Sequence, residues 1–471
     1  MNQQSDSKHY GRILIVYCLG LLVGGLYVGM VAPVRTVVQA QFGLNDSTGI
    51  WMINIYTLFY AALIPVIGKL ADRHGRNLVF EICVLVFMAG ATICGLSSHI
   101  GGFGVLLFGR VVQAAGAGGM IPVATAEIGT TFPKEKRGFA LGVAAGVTGI
   151  ANVLGAGVGS AVVGIAGQDN WSVMFFASIP VCLAVFIGAR VLLAKSSESV
   201  SGRLDIPGSV LLVLLVLFLL FGLKELDFSH LSESLARIEV WGSMAGFVIC
   251  TILFGIAEKR AEDPVFHLEF FRNRPIVITL IVSLLIGCVI VAMMLIPEYA
   301  EFIMNAPVGS GGYYMLVIGV MSMAGPPLGG KLIDRFGPKR VLVFGLVVMT
   351  IGYCFLAILV TANPSVASLI SGLVMVGLGM GLAMGAPTNY MILENTSSDK
   401  STSAIATVSL IRQMGTTIAP AIYVSFLAGG SGGDMTAVST AGYQHMLLCV
   451  AAFSLAAVIV TLFYRDSHKE M

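Results

Sequence analysis

The chain has 471 residues, of which 56 % are hydrophobic and only 11 % charged, with 57 glycines and a formal net charge of +2. Its mean hydropathy of +0.90 leaves too little polar surface for a water-soluble domain. A bilayer supplies the missing apolar solvent, and a charge so near zero selects no partner by itself.

Spans of roughly 20 apolar residues are needed to cross a bilayer, and they must be helices or closed barrel strands because lipid cannot hydrogen-bond an open backbone. Continuous rather than alternating apolar runs select helices. In chain order the runs fall at 13–34, 51–68, 78–97, 103–127, 139–166, 171–194, 207–224, 239–257, 276–303, 310–332, 340–361, 366–391, 402–428 and 442–464, which makes fourteen expected spans. The first run is too long for a signal peptide and lacks a small-residue cleavage site, so it reads as a retained helix.

The eight cysteines lie in or at the edges of these runs without metal or redox spacing, and read as small core residues. Charge is distributed unevenly. With Met1 inside, alternate loops carry 22 of the 27 basic residues, from Lys8 and Arg12 through Lys195, Arg203 and Lys400 to Lys469. The other side has only Arg35, Lys224 and Arg237, while Arg110 and Arg412 fall inside helices. By the positive-inside rule both termini are expected in the cytoplasm of a multi-pass cell-membrane protein, and an even number of spans agrees with that.

Charge is densest in "GKLADRHGRN", residues 68–77, and that stretch recurs as "GKLIDRFGPK" at 330–339, 262 residues on. Gly68, Lys69, Leu70, Asp72, Arg73 and Gly75 match Gly330, Lys331, Leu332, Asp334, Arg335 and Gly337. The same offset lays Lys134–Gly138 over Thr396–Lys400. The expected fold is therefore an all-α membrane protein with two six-helix repeats, helices 1–6 and 9–14, and two inserted helices, 7 and 8. Expected domains are residues 1–194, 195–275 for the linker and inserted pair, and 276–471. Two related halves around a midplane site is an alternating-access architecture. Physically, the repeated glycines permit tight turns, and Asp72 is placed to pair with nearby arginines and to favour a helix N-terminus of the opposite half. Gly68, Asp72, Arg73, Gly75, Arg76, Asp334 and Arg335 are thus read as a conformational latch.

These motifs resemble the major facilitator superfamily, and within it the 14-helix drug/proton antiporter family. Gly68 to Arg76 is similar to the G-x-L-x-D-R-x-G-R signature. "RVVQAAGAG" at 110–118 resembles the R-x-x-Q-G region of helix 4, and "WMINIY", "LDIPG" at 204–208 and "RQMG" at 412–415 are similar to further family patterns. Two departures stand out. Gly24 takes the place at which many drug exporters carry a helix-1 Asp. Helix 5 has Gly155, Ala156, Gly157, Val158, Gly159 and Ser160 where the antiport signature ends G-P-x-x-G-G.

Ionisable groups inside spans are costly and mark function. Arg110 and Arg412 lie inside helices, whereas Glu127, Glu298 and Glu301 lie toward span ends, so no acid sits at mid-membrane. That inventory points to an organic anion. Arg110, Glu127, Glu298 and Glu301 are the proton-coupling candidates. Tyr27, Asn54, Tyr56, Arg110, Asn152, Asn389, Arg412 and Gln413 are the substrate-binding candidates, with Met and Phe forming an adaptable apolar wall. No P-loop, nucleophile elbow or metal spacing appears, so neither an enzyme, a metal nor a cofactor is expected.

The leading expectation is a monomeric, proton-driven secondary transporter of an amphipathic organic solute, resembling bile-acid permeases in its departures from the exporters. Its partners are that solute, protons and lipid, with no nucleic acid. The alternatives are multidrug efflux by drug/proton antiport, and a transporter-like membrane sensor that binds without moving its ligand.

Overall fold

The computed structural model describes residues 2–31, 34–193, 205–226, 231–261, 268–305, 311–429 and 440–465. Met1, Lys195, Arg203, Leu204 and Lys469, used above, lie outside them, as does the 194/195 domain boundary. Among the described residues there is no strand. The long helices are α1 (Asn2–Gly29), α2 (Trp51–His74), α3 (Arg76–Leu96), α4 (Gly102–Thr131), α5 (Lys134–Ala166), α6 (Ser178–Leu192) and α7 (Ile206–Lys224). They continue as α8 (Ile238–Arg260), α9 (Arg274–Val291), α10 (Gly311–Phe336), α11 (Pro338–Phe355), α12 (Val366–Ala383), α13 (Ser401–Gly429) and α14 (Thr440–Leu462).

The repeated glycines do what a one-residue turn requires. Gly75 has φ 92° and Gly337 has φ 83°, backbone that L side chains rarely adopt. Each therefore joins two long helices without a loop. At α11 the helix restarts on Pro338, whose fixed φ suits a first helical position. Asp205 accepts from the Gly208 N–H at 2.8 Å and so starts α7, with Pro207 in its first turn.

Among the described residues twelve helices are long and apolar enough to cross a membrane, and α5 makes a thirteenth if its parts 134–152 and 157–166, inclined by 46°, are one span. Fourteen apolar spans were expected. The difference is α13, whose 29 residues include Ser401, Thr402, Ser403, Thr407, Ser409, Arg412 and Gln413. At 1.5 Å per residue it is about 43 Å long, enough to cross. Residues 401–410 are buried without exception, so protein rather than lipid surrounds this polar stretch. The bend in α5 falls where the family pattern has a proline and this chain has only glycine and small residues.

One apolar core fills α1–α6 and reaches Tyr390 and Ile405, and a second fills α9–α14. Between the halves α5 packs on α10 and α2 packs on α13. The repeat is not rigidly spaced. Gly90 faces the backbone of Gln113 as Gly352 faces Val376, an offset of 262 on α3 becoming 263 on α4. Gly68 meets Thr402 and Ser403 as Gly330 meets Gly138 and Phe139, so by α5 the offset is 264 rather than the single value of 262 expected. The inserted pair α7–α8 docks through Leu212, Val216, Leu220 and Phe254 on Leu58, Ala61 and Ala62 of α2 and Leu410 of α13.

Candidate functional site

The two repeated loops close the charged end of the bundle. Asp72, near the end of α2, accepts from the N–H groups of Thr402 (2.9 Å) and Ser403 (2.7 Å) in the first turn of α13. Asp334, near the end of α10, accepts from Gly138 (2.7 Å) and Phe139 (2.9 Å) near the start of α5. Each carboxylate therefore satisfies two backbone donors and meets the positive end of a helix dipole in the opposite half. Asp72 thus lies against an opposite-half helix N-terminus, the partner its sequence favours. Close approach needs small residues here. A Cβ on Gly68 would lie 2.7 Å from that of Ala406, and one on Gly330 would lie 2.3 Å from the Gly138 carbonyl oxygen.

Arg76 knits the first of these contacts together. It donates to Thr402 Oγ1 (2.9 Å), Ser401 Oγ (2.5 Å), Thr130 Oγ1 (2.8 Å) and Glu127 Oε2 (3.3 Å), and to the Ser398 carbonyl. It lies 3.6 Å from Asp72 Oδ1. Thr131 Oγ1 donates to the second oxygen of Glu127 at 3.0 Å. Arg73 is buried beside this cluster, whereas Arg335 is exposed over the Phe336 ring. The density of hydroxyls in "SSDKSTS", residues 397–403, was the signal for these acceptors, and sequence reasoning passed over it.

Deeper in, Arg110 is only 1 % exposed. Its Nε donates to the Met52 carbonyl (3.1 Å) and its Nη1 to Gln113 Oε1 (2.6 Å), and the guanidinium lies 3.9 Å from the Tyr56 ring centroid. Tyr56 stacks on Tyr60 with centroids 6.1 Å apart and planes 13° from parallel. Tyr60 in turn is close enough to Arg412 on α13 to interact with it electrostatically. Arg110, Tyr56 and Tyr60 thus form a contiguous row that points from one half toward Arg412 of the other. Tyr60 was missed in sequence, although its i,i+4 spacing from Tyr56 places both on one helix face. Arg412 is half-buried with no hydrogen bond or ion pair, and among the described residues no carboxylate reaches ion-pair distance of either arginine.

The remaining candidates divide by exposure. Asn54 and Gln413 are half-buried and Asn152 is exposed, so all three are open to a small molecule. Tyr27 is buried and donates to the Met174 carbonyl, and Asn389 is buried with an unpaired Oδ1. Glu298 is exposed and Glu301 half-buried at the opposite end from the latch, beside Tyr443. Glu127 touches a network that spans both halves. Among the described residues no His, Cys, Asp and Glu group could hold a metal.

Comparison with known proteins follows the geometry. The profile of the Major Facilitator Superfamily matches residues 17–420 and 323–470. An uncharacterised MFS-type transporter, YfiU of Bacillus subtilis, is 32 % identical over 430 residues, covering 90 % of this chain and 81 % of that one. Multidrug transporter protein MdtP of the same organism is 26 % identical over 447 residues, 93 % of this chain and 79 % of its own. Among solved structures, the human organic anion transporter MFSD10 (TETRAN) superposes with a TM-score of 0.68 at 13 % identity, over 96 % of this chain and 99 % of that one, a likeness of fold.

Proposed function

We propose, for a chain that belongs to the major facilitator superfamily, that the cargo is an amphipathic organic anion and that protons drive its movement. The chain is a membrane transporter and not an enzyme. The observation that carries the finer reading is the strip Arg110–Tyr56–Tyr60–Arg412, cationic at both ends and aromatic between, with no carboxylate facing it. An anionic headgroup on Arg412 and an apolar ring system on Tyr60 would be held by both halves at once. Asn54, Asn152 and Gln413 supply neutral polar contacts. In lipid an unpaired guanidinium is costly, so an arriving anion gains more there than it would in water.

Alternating access follows from the latch. With Asp72 and Asp334 seated on opposite-half helices the charged end is shut, and breaking both lets the halves rock. Positive-inside asymmetry makes that end cytoplasmic, with both termini there and the cleft facing outward. Glu127 is the proposed proton carrier. Protonation would remove its charge from Arg76 and loosen the first latch, which couples proton binding to inward opening. This needs no ATP and no cofactor, and a monomer contains every part.

Multidrug efflux by drug/proton antiport is the second reading. MdtP, a relative named as a multidrug transporter, favours it. The test is lumenal pH in dye-loaded proteoliposomes, with protein-free vesicles correcting for weak-acid leak. Adding taurocholate is expected to acidify the lumen in a protein-dependent way, and Arg412→Ala is expected to abolish that response. Protein-dependent alkalinisation on adding tetraphenylphosphonium, unaffected by Arg412→Ala, would overturn the anion reading and establish antiport.

A further inference from the structure

Two seams join the halves, α5 on α10 and α2 on α13, and the α7–α8 hairpin lies against the second. The hairpin has no counterpart in either repeat, so the duplication does not say which half carries it. Its attachment runs through α7. α8 packs on α7, with Gly222 against Met244 and Gly246 against the Phe218 ring. Leu212, Val216 and Leu220 of α7 form a ridge of i,i+4 spacing that is seated on one helix of each half, α2 and α13.

Those two helices are fixed to different bodies. α2 is bound to α4, where Arg110 donates to the Met52 carbonyl at 3.1 Å and a Cβ on Gly118 would lie 3.0 Å from the Tyr60 carbonyl oxygen. α13 is bound to α9 at the depth where it meets α7. There Gly287 is pressed against the Arg412 carbonyl and Gly415 against that of Leu284, and the Tyr423 hydroxyl donates to the Cys288 carbonyl at 2.7 Å. When the halves rock, α7 cannot keep both contacts, because packed interfaces switch rather than stretch.

Lipid tails are as apolar as Leu, so packing quality decides which contact survives. The two are unequal. On α2 the strip facing α7 is Trp51, Leu58, Ala61, Ala62 and Val66, about 22 Å of helix at 1.5 Å per residue. Ala61 and Ala62 are fully buried and let the ridge approach closely, and Trp51 stacks on Phe221 at 5.9 Å. On α13 the strip is Leu410 and Met414, a single turn of about 6 Å, and Met414 is only half-buried. Tyr56 and Tyr60 stand two residues before Leu58 and Ala62, and Arg412 stands two from Leu410 and Met414, about 200° round each helix. α7 therefore meets the backs of the helices whose fronts carry the phenols and Arg412.

We infer that the α7–α8 hairpin is a moving part of the α1–α6 half: it travels with α2, and the Leu410–Met414 turn of α13 is the surface along which it parts from the other half. This rests on the proposed rocking of the halves and not on the nature of the cargo. A hairpin fixed to one half alone covers the α2/α13 seam without tying the halves together.

The experiment places spin labels, in pairs, at three exposed positions of the charged end: Ile206 at the start of α7, His74 at the end of α2 and Ser397 just before α13. Protein reconstituted into phosphatidylethanolamine–phosphatidylglycerol vesicles is compared with the Asp72→Asn/Asp334→Asn variant, in which neither carboxylate holds the opposite half. The 74–397 distance is expected to lengthen, the 206–397 distance to lengthen with it, and the 206–74 distance to stay the same. A longer 206–74 distance, whether or not 206–397 changes, would overturn the inference. A constant 74–397 distance would mean that the charged end does not part, and the proposed rocking would fall with it. A second measurement leaves both aspartates in place. A short bismaleimide joins Trp51→Cys to Phe221→Cys, or Leu212→Cys to Leu410→Cys, with the parent treated alike as reference. The first cross-link is expected to leave taurocholate-driven acidification within about twofold, and the second to slow it about tenfold or more. Equal slowing, or the reverse order, would overturn the inference.

Discussion

The two loops at the charged end descend from one motif but hold the halves together differently. Both Asp72 and Asp334 cap an opposite helix with two N–H bonds of similar length. Among the described residues only the first carboxylate has a guanidinium at ion-pair distance, Arg76 at 3.6 Å. Arg76 binds five acceptors from α4, from α13 and from the residues just before α13, whereas 262 residues on stands Pro338. The second contact compensates by backbone packing. Gly330 is pressed against Gly138 and Gly142 against Pro326, where a Cβ would lie 2.2–2.3 Å from carbonyl oxygens, whereas one on Gly68 would lie nearest the methyl of Ala406 and no closer than 3.3 Å to backbone. Duplication thus supplied the architecture, and divergence made one latch electrostatic and the other steric. A charge network can be released by a proton, but a glycine–glycine contact cannot, which suits the first to coupling and the second to acting as the pivot.

The largest effect is expected at Asp72. Asp72→Asn keeps the shape but removes the charge that two helix donors and Arg76 are arranged to meet. Charge-assisted hydrogen bonds are worth about 1.5–3 kcal/mol, so the closed charged end should lose about 10- to 100-fold in population. Spin labels at the exposed positions His74 and Ser397, which belong to opposite halves, would read this as a shift to longer distances, with transport abolished or greatly slowed. An unchanged distance distribution would remove the latch.

Next comes the steric side. Gly330→Ala drives a methyl to 2.3 Å from a carbonyl oxygen on a helix held by its own hydrogen bonds, so neither backbone can yield cheaply. Overpacking of this kind costs about 1–3 kcal/mol, enough to slow transport about tenfold in the proteoliposome assay. Gly68→Ala meets the Ala406 methyl at 2.7 Å and the Thr402 carbonyl oxygen only at 3.3 Å, a smaller overlap than at Gly330, and should slow transport by about threefold. Equal effects would mean the two seams are alike after all.

Much of this was legible in the chain. Apolar runs located the spans, and six identities at one offset located the two carboxylates that join the halves, because turns and caps depend on residue type over short distances. Two things were not. Drift of the repeat from 262 to 264 hid Thr402 and Ser403 as the partners of Asp72, since one-residue insertions leave no mark in an apolar pattern. The docking of α7–α8 was invisible because a helix face turned to protein and one turned to lipid read the same when both are Leu and Val. Arg110 and Arg412 were visible as isolated charges, but the phenols beside them emerge only once α2 is placed between α4 and α13.

The smallest effect tests whether divergence is recoverable. Pro338→Arg restores the residue type that Arg76 represents, and chemistry alone would suggest a second charge network. The surroundings argue otherwise. With the offset of 263 on α4, Tyr390 and Leu393 stand where Glu127 and Thr130 do, and with 264 on α5, Lys134 and Arg137 stand where Ser398 and Ser401 do. The side-chain acceptors that Arg76 finds on α4 and α13 have been replaced by apolar, aromatic or cationic groups, so of the partners of Arg76 the new guanidinium would keep only Asp334, the counterpart of Asp72. Transport and the spin-label distance should therefore stay within about twofold of the parent, with the arginine turned to water at a position where such exposed charges contribute about 0–1 kcal/mol. A closed state strengthened tenfold would mean that the second contact still holds an unrecognised acceptor, and that the two latches differ by one residue rather than by their whole environment.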